Sequence, residues 1–366
     1  MIYLDNAATT YPKPRCVYRR LKRVLHRAGG NPGRSSHRAA FLAAEEIYGA
    51  REAIAELVCF DSPERIVFTS GATHALNLAI HALRPGHVIY SEREHNSVIR
   101  PVAALERGGC GHAVFRVKGD ILCEMERAMT PDTDLCVLSL CSNVTGECFP
   151  LPVLREFRKR HPEVRVILDG SQWLGHLPFS LKDSLCEVLC APSHKALFGI
   201  QGAGFAAFTK EGGYEPLLFG GSGNESENEN MPALLPERLE AGTLPTPAIG
   251  TLGEGARYLL SEGLQTVAQR LGTLTRGLYD RLRAVKGITL LSENGFAIAA
   301  FRFKELPSTT VADFLDRRGI AVRAGLHCAP LAHAALGTPE GGAVRVSFGP
   351  FNTLQEVDAL WQALKA

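Results

Sequence analysis

Short apolar runs alternate with helix-like segments over the first part of the chain. Residues 164–168 and 188–191 are rich in β-branched and other apolar side chains, which predicts strands buried on both faces. Residues 75–83 instead carry apolar side chains at helical spacing until a Pro-Gly pair interrupts the pattern. Because strand and helix signals alternate over residues 47–208, we predict crossover units and a mainly parallel sheet.

The pattern changes beyond the last of these strands. Residues 211–236 are polar and rich in Gly, Asn and Glu, with no apolar period, which predicts a long loop. Helix and strand signals return from about residue 256. The chain closes on Thr353-x-x-Glu356, a capping box that predicts a C-terminal helix.

Length and charge limit the class of protein. With 366 residues, 45% hydrophobic and 21% charged, the chain can bury a large core and is expected to form two domains. We predict a large domain of residues 12–255 and a smaller α+β domain made of residues 1–11 and 256–366. The formal net charge is +2, and the basic segment 15–27 has the apolar spacing of an amphipathic helix. We therefore expect no nucleic-acid partner.

The apolar segments and the cysteines indicate where in the cell the protein is expected. No segment approaches the roughly 20 apolar residues of a membrane span, and no secretory signal is recognisable at the amino terminus. The ten cysteines lack the C-x-x-C spacing of zinc or redox sites. We therefore expect reduced thiols, no metal site, no membrane association and a cytoplasmic location.

Two ionisable residues follow neighbouring apolar runs. Asp169 comes directly after residues 164–168, and Lys195 follows residues 188–191. Residues just past the carboxyl ends of strands meet at one crevice of an open α/β sheet, where ligands bind. A lysine that holds an aldehyde and an acid that keeps a pyridine nitrogen protonated are what pyridoxal 5'-phosphate requires. The alternative is a turn-capping aspartate and a solvated surface lysine.

The turn Gly71-Ala72-Thr73 adds a possible phosphate site. It joins a strand-like run to the helix-like segment 75–83. Small residues at such a turn leave the first backbone N–H groups of the helix free to hold a phosphate. Many strand-to-helix turns of this kind bind nothing. The prediction of a phosphate site is therefore strengthened only by the presence of Asp169 and Lys195 later in the sequence.

Eight short motifs in order along nearly the whole chain resemble those of the cysteine desulfurases, in the class V aminotransferase group of fold-type I pyridoxal phosphate enzymes. They are residues 3–10 (YLDNAATT), 70–73 (SGAT), 94–97 (EHNS), 142–146 (SNVTG), 168–172 (LDGSQ), 194–195 (HK), 240–243 (EAGT) and 322–329 (VRAGLHCA). The last motif is similar to that of the Suf-type branch. The resemblance implies an α/β fold with a mainly parallel, seven-stranded type of sheet and a smaller α+β C-terminal domain.

The resemblance also implies a set of cofactor ligands. Lys195 would hold the cofactor aldehyde, and Asp169 would pair with its pyridine nitrogen. The other expected ligands are Gln172 at the ring hydroxyl, His95 on the ring face, and Ala72, Thr73, Ser193, His194 and Thr243 at the phosphate. Thr243 would reach the phosphate of the neighbouring subunit, which implies a homodimer with shared active sites.

A second group would bind substrate and carry the reaction. Asn143, also counted as a cofactor contact, and Arg345 would hold the substrate carboxylate, because a planar guanidinium binds a carboxylate with two hydrogen bonds. His37 and Arg323 are expected to line the same pocket. The catalytic residues would be Lys195, Cys328 and His95.

Each of these assignments has a simpler alternative. His95 could be an ordinary loop histidine, Arg345 could lie on the solvent-exposed face of its strand, and Cys328 could be a buried, inert thiol. The chain also departs from its relatives, because Pro192 and Ser193 replace a small hydroxyl residue and a glycine ahead of the lysine. Either Ser193 supplies the hydroxyl from a shifted backbone, or the phosphate has one ligand fewer.

The resemblance implies conversion of L-cysteine to L-alanine, with the sulfur held as a persulfide on Cys328 and then passed to an acceptor protein. Selenocysteine lyase and a class V aminotransferase acting on another amino acid remain open alternatives. A non-catalytic scaffold would lack the cofactor, and the intact Lys195, Asp169 and Cys328 argue against it.

Overall fold

The computed structural model describes residues 1–33, 36–183 and 185–366. Its strands are β1 Ile2–Tyr3, β2 Ile66–Thr69, β3 His87–Ser91, β4 Gly111–Phe115, β5 Leu135–Ser139, β6 Arg165–Asp169, β7 Val188–Pro192, β8 Gly204–Phe208, β9 Ile288–Leu290, β10 Ile298–Phe303, β11 Ile320–Ala321, β12 Arg323–Gly325 and β13 Ala343–Ser347. Its helices are α1 Arg15–Arg27, α2 Arg38–Leu57, α3 Ala72–Leu83, α4 Asn96–Leu105, α5 Ile121–Arg127, α6 Leu151–Arg160, α7 Thr246–Glu262, α8 Leu264–Arg283, α9 Ser308–Asp316, α10 Pro330–Ala335 and α11 Leu354–Lys365. Short 3-10 turns lie at Pro63–Arg65, Glu106–Gly108 and Leu181–Asp183.

The central sheet has seven strands in the order β2-β8-β7-β6-β5-β3-β4. Strands β4, β3, β5, β6 and β7 are parallel to one another, and β8 runs antiparallel to both of its neighbours. The predicted α/β fold with a mainly parallel seven-stranded sheet is confirmed.

Both faces of this sheet are covered, which explains why its strands are almost continuously apolar. Successive residues of β6 belong to different hydrophobic clusters: Val166 and Leu168 pack on one face, and Ile167 packs on the other. One cluster includes residues of α2, α6 and α7, and the other includes residues of α3 and α4. The sheet is therefore the middle layer of three, and its carboxyl edge remains open for a site.

A second sheet of four antiparallel strands, in the order β12-β13-β10-β9, forms the carboxyl-terminal part. The amino-terminal strand β1 pairs with β11 in a separate parallel ladder, so the start of the chain packs against the carboxyl-terminal part of the fold. Helix α11 begins with the predicted capping box of Thr353 and Glu356. The domain boundary predicted at residue 255 falls within α7, and the division into two domains stays a prediction.

Glu240, which follows the polar segment 211–236, forms a buried ion pair with Arg51 and a hydrogen bond to the central sheet. Both terminal nitrogens of the Arg51 guanidinium, Nη1 and Nη2, donate to the Glu240 carboxylate, at 2.9 and 2.7 Å, and both side chains are less than a tenth exposed. The Phe68 backbone N–H also donates to Glu240 Oε1 at 2.5 Å. Removing one member would leave the other charge buried without its partner.

We expect Glu240→Ala to lower the free energy of unfolding by about 3–5 kcal/mol, the range for a buried pair that loses one partner. Urea unfolding followed by circular dichroism measures this change. The exposed pair Arg155–Asp183 has a similar distance, 2.8 Å, and provides the matched control. Asp183→Ala should cost less than about 1 kcal/mol. Equal losses in the two variants would contradict this account of the Glu240 contact.

Candidate active site

A cavity of about 400 Å³ opens at the carboxyl edge of the central sheet, where the second sheet faces it. This volume lies within the range of small-molecule sites. The predicted residues that line it are Ala72, Thr73, His95, Asn143, Asp169, Gln172, His194, Lys195, Arg323, Cys328 and Arg345. Side chains far apart in the sequence therefore meet at one place.

Asp169 and Lys195 lie in the wall of this cavity as their positions after strands predict. Asp169 ends β6, next to β7 in the sheet, and its Oδ1 accepts a hydrogen bond of 2.9 Å from the Ser171 backbone N–H. Lys195 follows β7, and burial lowers the pKa of its amine to about 8, with Asp169 opposing that shift. A lysine with this pKa is a usable nucleophile and base near neutral pH.

The lowered pKa of Lys195 leads to a prediction for reconstitution with pyridoxal phosphate. Only the neutral amine attacks an aldehyde, and its fraction rises as pH increases through about 8. The rate of covalent capture by cofactor-stripped protein should therefore rise about tenfold per pH unit below the pKa and level off above it. Stopped-flow absorbance measures this rate, with Lys195→Ala as the blank. A rate still rising steeply above pH 9 would indicate an ordinary lysine.

The amino terminus of α3 lies at one end of the cavity and fits a phosphate. Gly71 precedes the helix without a side-chain cap, so the first-turn N–H groups have no side-chain partner at the cap position. A methyl group on Gly204 would come within 2.7 Å of the Gly71 backbone, so glycine is needed for this close packing. His194 also lines the cavity, and its buried Nδ1 has no hydrogen-bond partner among the described residues. An unsatisfied polar atom and an uncapped helix amino terminus in the lining of one cavity fit an oxyanion ligand.

Ser193 is a predicted phosphate ligand that does not line the cavity. Its side chain is fully buried outside the cavity lining and points at Gly199, where an added Cβ would come within 1.9 Å of its Oγ. In this conformation the Ser193 hydroxyl does not line the cavity, which favours the alternative in which the phosphate has one ligand fewer. Thr73 is still present in the cavity, with its Oγ1 2.8 Å from Ser97 Oγ.

His95 caps α4 and has a defined tautomer. Its Nδ1 accepts a hydrogen bond of 3.0 Å from the Ser97 backbone N–H, so the proton of the neutral ring is on Nε2. Burial, followed by the nearby Lys195 charge, lowers the pKa of His95 to about 4. The ring is therefore neutral at physiological pH, which suits stacking on an aromatic cofactor.

Two arginines oppose each other in the cavity wall. Arg345 on β13 pairs in register with Arg323 on β12, and like charges in this position repel. Arg345 is 1% exposed. Its side chain donates to the Asn143 carbonyl at 2.9 Å and to Asp5 Oδ1 at 2.8 Å, and its Nε has no partner among the described residues. This excess of positive charge predicts that an anion binds between the two side chains.

Asp5 was not singled out in the sequence, although it lies in the first of the family motifs. It reaches Arg345 because β1 joins the carboxyl-terminal part of the fold. A carboxylate so close to the start of the chain gives no local signal of a partner 340 residues away. Only the tertiary structure identifies this contact.

The Cys328 loop is held in an uncommon backbone conformation. His327 and Cys328 have φ angles of 53° and 57°, in the left-handed region that residues other than glycine seldom occupy. The Asn96 backbone N–H donates to the Cys328 carbonyl at 2.8 Å, and Asn143 Nδ2 donates to the His327 carbonyl at 2.7 Å. The Cys328 side chain is exposed at the cavity while its backbone is fixed on both sides. Such local strain is typical of functional sites.

Behind this loop lies a chain of buried hydrogen bonds that the sequence did not reveal. His327 Nδ1 is 3.2 Å from His333 Nε2, and His333 Nδ1 is 2.8 Å from Thr338 Oγ1. Burial and then the Arg345 charge lower the pKa of His327 to about 2, so this ring is neutral. These hydrogen bonds orient His327, the residue that precedes Cys328.

Besides Ser193, two further predicted residues lie outside the cavity of this chain. His37 is exposed and caps α2, where its Nδ1 accepts a hydrogen bond of 3.2 Å from the Ala40 backbone N–H. Thr243 is exposed and accepts a hydrogen bond of 3.3 Å from Asn31 Nδ2. Neither side chain lines the cavity within one subunit, so the pocket role predicted for His37 has no support from this chain alone.

The expectation that all cysteines are thiols is wrong for one pair. A disulfide joins Cys141 to Cys148, and the other eight cysteines are unpaired. The two cysteines are seven residues apart and lack C-x-x-C spacing, so the sequence does not predict this bond. Over the described ranges of the chain, no cluster of three or more His, Cys, Asp or Glu suits a metal ion, and no helix is long and apolar enough to cross a bilayer.

Comparison with known proteins agrees with this geometry. Residues 2–360 match the aminotransferase class-V family. Proteins named probable cysteine desulfurase from Pasteurella multocida and Haemophilus influenzae are 32% and 30% identical over 381 and 382 residues, covering all of this chain and 88% and 85% of their own lengths. A probable cysteine desulfurase from Mycolicibacterium paratuberculosis is 30% identical, and this chain spans only 55% of that protein.

Solved structures show the same fold. The apo cysteine desulfurase from Thermococcus onnurineus NA1 has a TM-score of 0.90 and 25% identity, with 100% of this chain and 94% of that one covered. The cysteine desulfurase CsdA from Escherichia coli has a TM-score of 0.88 and 27% identity, with 99% and 93% covered. Since the family match runs through nearly every element and the cavity fits the cofactor of that family, the chain belongs to the aminotransferase class-V family of pyridoxal phosphate-dependent proteins.

Proposed function

We propose that this protein is a pyridoxal phosphate-dependent cysteine desulfurase that converts L-cysteine to L-alanine and stores the sulfur on Cys328. The observation that carries this proposal is the exposed thiol of Cys328 in the same cavity as Lys195, Asp169 and the Arg323–Arg345 pair. A plain aminotransferase needs the lysine, the acid and an anion site. It has no need of a thiol on a strained loop.

The residues that would hold the cofactor are those whose chemistry matches its parts. Asp169 would face the pyridine nitrogen, Gln172 the ring hydroxyl and His95 the ring face. The amino terminus of α3 with Thr73 and His194 would hold the phosphate. When bound, pyridoxal phosphate links covalently to an amino acid and withdraws electrons from its Cα.

Arg345, Asn143 and Arg323 would bind and orient the substrate. Arg345 is already fixed by Asp5 and the Asn143 carbonyl, so a carboxylate meets a pre-oriented guanidinium. Arg323 supplies a second positive charge on the neighbouring strand. The amine of Lys195, neutral in a large fraction near its pKa of about 8, would remove the Cα proton as a general base.

Cys328 would take the sulfur. Its thiolate attacks the substrate sulfur, so an S–S bond forms and the C–S bond of the substrate breaks. The carbon product gains protons to become L-alanine, and Cys328 keeps one extra sulfur atom as a persulfide. In balance, L-cysteine and one enzyme thiol give L-alanine and one enzyme persulfide, with no other oxidant or reductant.

The persulfide then requires an acceptor, and we propose a sulfur-acceptor protein that approaches the exposed Cys328. The eight unpaired cysteines favour a reducing compartment, and we propose the cytoplasm.

The exposed Thr243 supports a shared site. In this proposal the chain forms a homodimer, and Thr243 of each subunit completes the phosphate site of the other. A long polar segment that leads to an exposed Thr243, outside its own cavity, is consistent with a role across a two-fold interface.

A product assay with purified holoprotein tests the proposed function. With L-cysteine and a thiol acceptor, alanine and sulfide should form in equal amounts without any keto acid. Transfer of an amino group to an added keto acid would instead identify an aminotransferase. Turnover of L-selenocysteine that persists in Cys328→Ala, with no turnover of L-cysteine by the unaltered protein, would identify a selenocysteine lyase.

A further inference from the structure

The disulfide between Cys141 and Cys148 lies in the wall of the active-site cavity. The two residues face each other in an isolated antiparallel bridge that closes the loop of residues 142–147. Cys141 is 3% exposed and lines the cavity, whereas Cys148 is partly exposed and does not line it. Of the two, Cys148 is therefore the cysteine more open to a soluble thiol or disulfide, and Cys141 is the one that lines the cavity.

The loop closed by this bond carries the contacts that organise the substrate end of the cavity. Asn143, two residues after Cys141, holds the His327 carbonyl at 2.7 Å through its side chain and Arg345 at 2.9 Å through its own carbonyl. One short loop thus connects the strained Cys328 segment to the carboxylate-binding arginine. A shift at its base moves both contacts together.

The space around the loop leaves little room to absorb such a shift. The buried side of Cys141 belongs to the main hydrophobic core, and Cys148 packs against the same cluster. A Cβ on Gly146 would come within 2.8 Å of the Ile298 carbonyl, so this part of the loop is also closely packed. Two separate thiols need more room than two bonded sulfurs, and that room must come from movement of the loop.

We propose that Cys141 and Cys148 form a redox-active pair that sets the order of the Asn143 loop, and thereby the affinity of the cavity for an amino acid. Oxidation joins the two thiols and passes two electrons and two protons to a small disulfide oxidant. Reduction by a dithiol breaks the bond and returns both thiols. The bonded pair holds Asn143 in the contacts described above, and reduction loosens them. The affinity part of this inference rests on the proposed function, whereas the redox pair and the loop order do not.

The first test measures the bond and the loop directly in the holoprotein. After treatment with oxidised glutathione, peptide mapping should find Cys141 joined to Cys148. Hydrogen exchange of residues 142–149 and 323–329 should be slower than after treatment with a dithiol that is then removed. Absence of the linked peptide, or equal exchange in the two states, would overturn the proposal.

The second test measures binding of L-alanine through the absorbance of the bound cofactor, because this probe has no thiol and leaves the disulfide intact. Reduction should raise its apparent Kd on the order of fivefold or more, the lower end for coupled sites. Cys141→Ser/Cys148→Ser should match the reduced protein and respond to neither reagent, and Cys59→Ser/Cys123→Ser, at exposed unpaired cysteines, should behave like the unaltered protein.

The outcomes separate the two proposals. An unchanged Kd with a redox-dependent exchange rate would overturn the coupling to the cavity. No spectral response to L-alanine in any state, with a redox-dependent exchange rate, would count against the proposed function and support the redox-active pair.

Discussion

Cys328→Ala should lose alanine formation from L-cysteine by a factor on the order of 10³ or more, because the variant has no nucleophile to accept the substrate sulfur. The cofactor should stay bound, since Lys195, Asp169 and the α3 amino terminus are unchanged. The measurements are alanine production by chromatography and the visible absorbance of the cofactor. Loss of activity together with loss of the cofactor spectrum would point to a folding defect instead.

Cys123→Ala is the matched control, because Cys123 is also exposed and unpaired but lies outside the cavity. It should keep full activity. Undiminished turnover of L-cysteine by Cys328→Ala would show that the sulfur leaves without this thiol, and the role assigned to Cys328 would be wrong.

Lys195→Ala should likewise reduce turnover by a factor on the order of 10³ or more, since both the covalent anchor and the base are lost. Mixed dimers of Lys195→Ala with Thr243→Ala should regain activity if the two subunits share their sites. One site of each mixed dimer then carries both defects, and the other site carries neither. The activity of each intact site should equal that of the unaltered protein.

The comparison is with each parent variant measured alone at the same protein concentration. Mixed dimers with no more activity than the average of the two parents would exclude a role for Thr243 across the interface. Thr243→Ala alone should weaken cofactor retention, which dialysis followed by absorbance measures.

The central sheet and the chemistry at its edge could be predicted because they depend on local patterns. Strands buried on both faces are continuously apolar, so a polar residue directly after the apolar run, such as Asp169, marks the end of the strand. The helix after Gly71 has regular apolar spacing, and its start is therefore visible in the sequence. Parallel strands end at the same edge, which is why Asp169 and Lys195 line one cavity.

The contacts that fix the substrate end could not be predicted from local patterns. The ion pair of Asp5 with Arg345 joins the two ends of the chain, and the hydrogen bond between His327 and His333 depends on the turn between them. The disulfide between Cys141 and Cys148 depends on the antiparallel bridge between these residues, which the local sequence does not predict. The direction of the Ser193 side chain depends on packing against Gly199, which no motif encodes.

The most direct test is a single turnover of the holoprotein with L-cysteine in the absence of any acceptor, followed by mass spectrometry of its cysteine peptides. We expect one alanine per active site and one additional sulfur atom on the peptide that contains Cys328. Alanine formed without a modified Cys328, or the extra sulfur on another cysteine, would contradict this expectation.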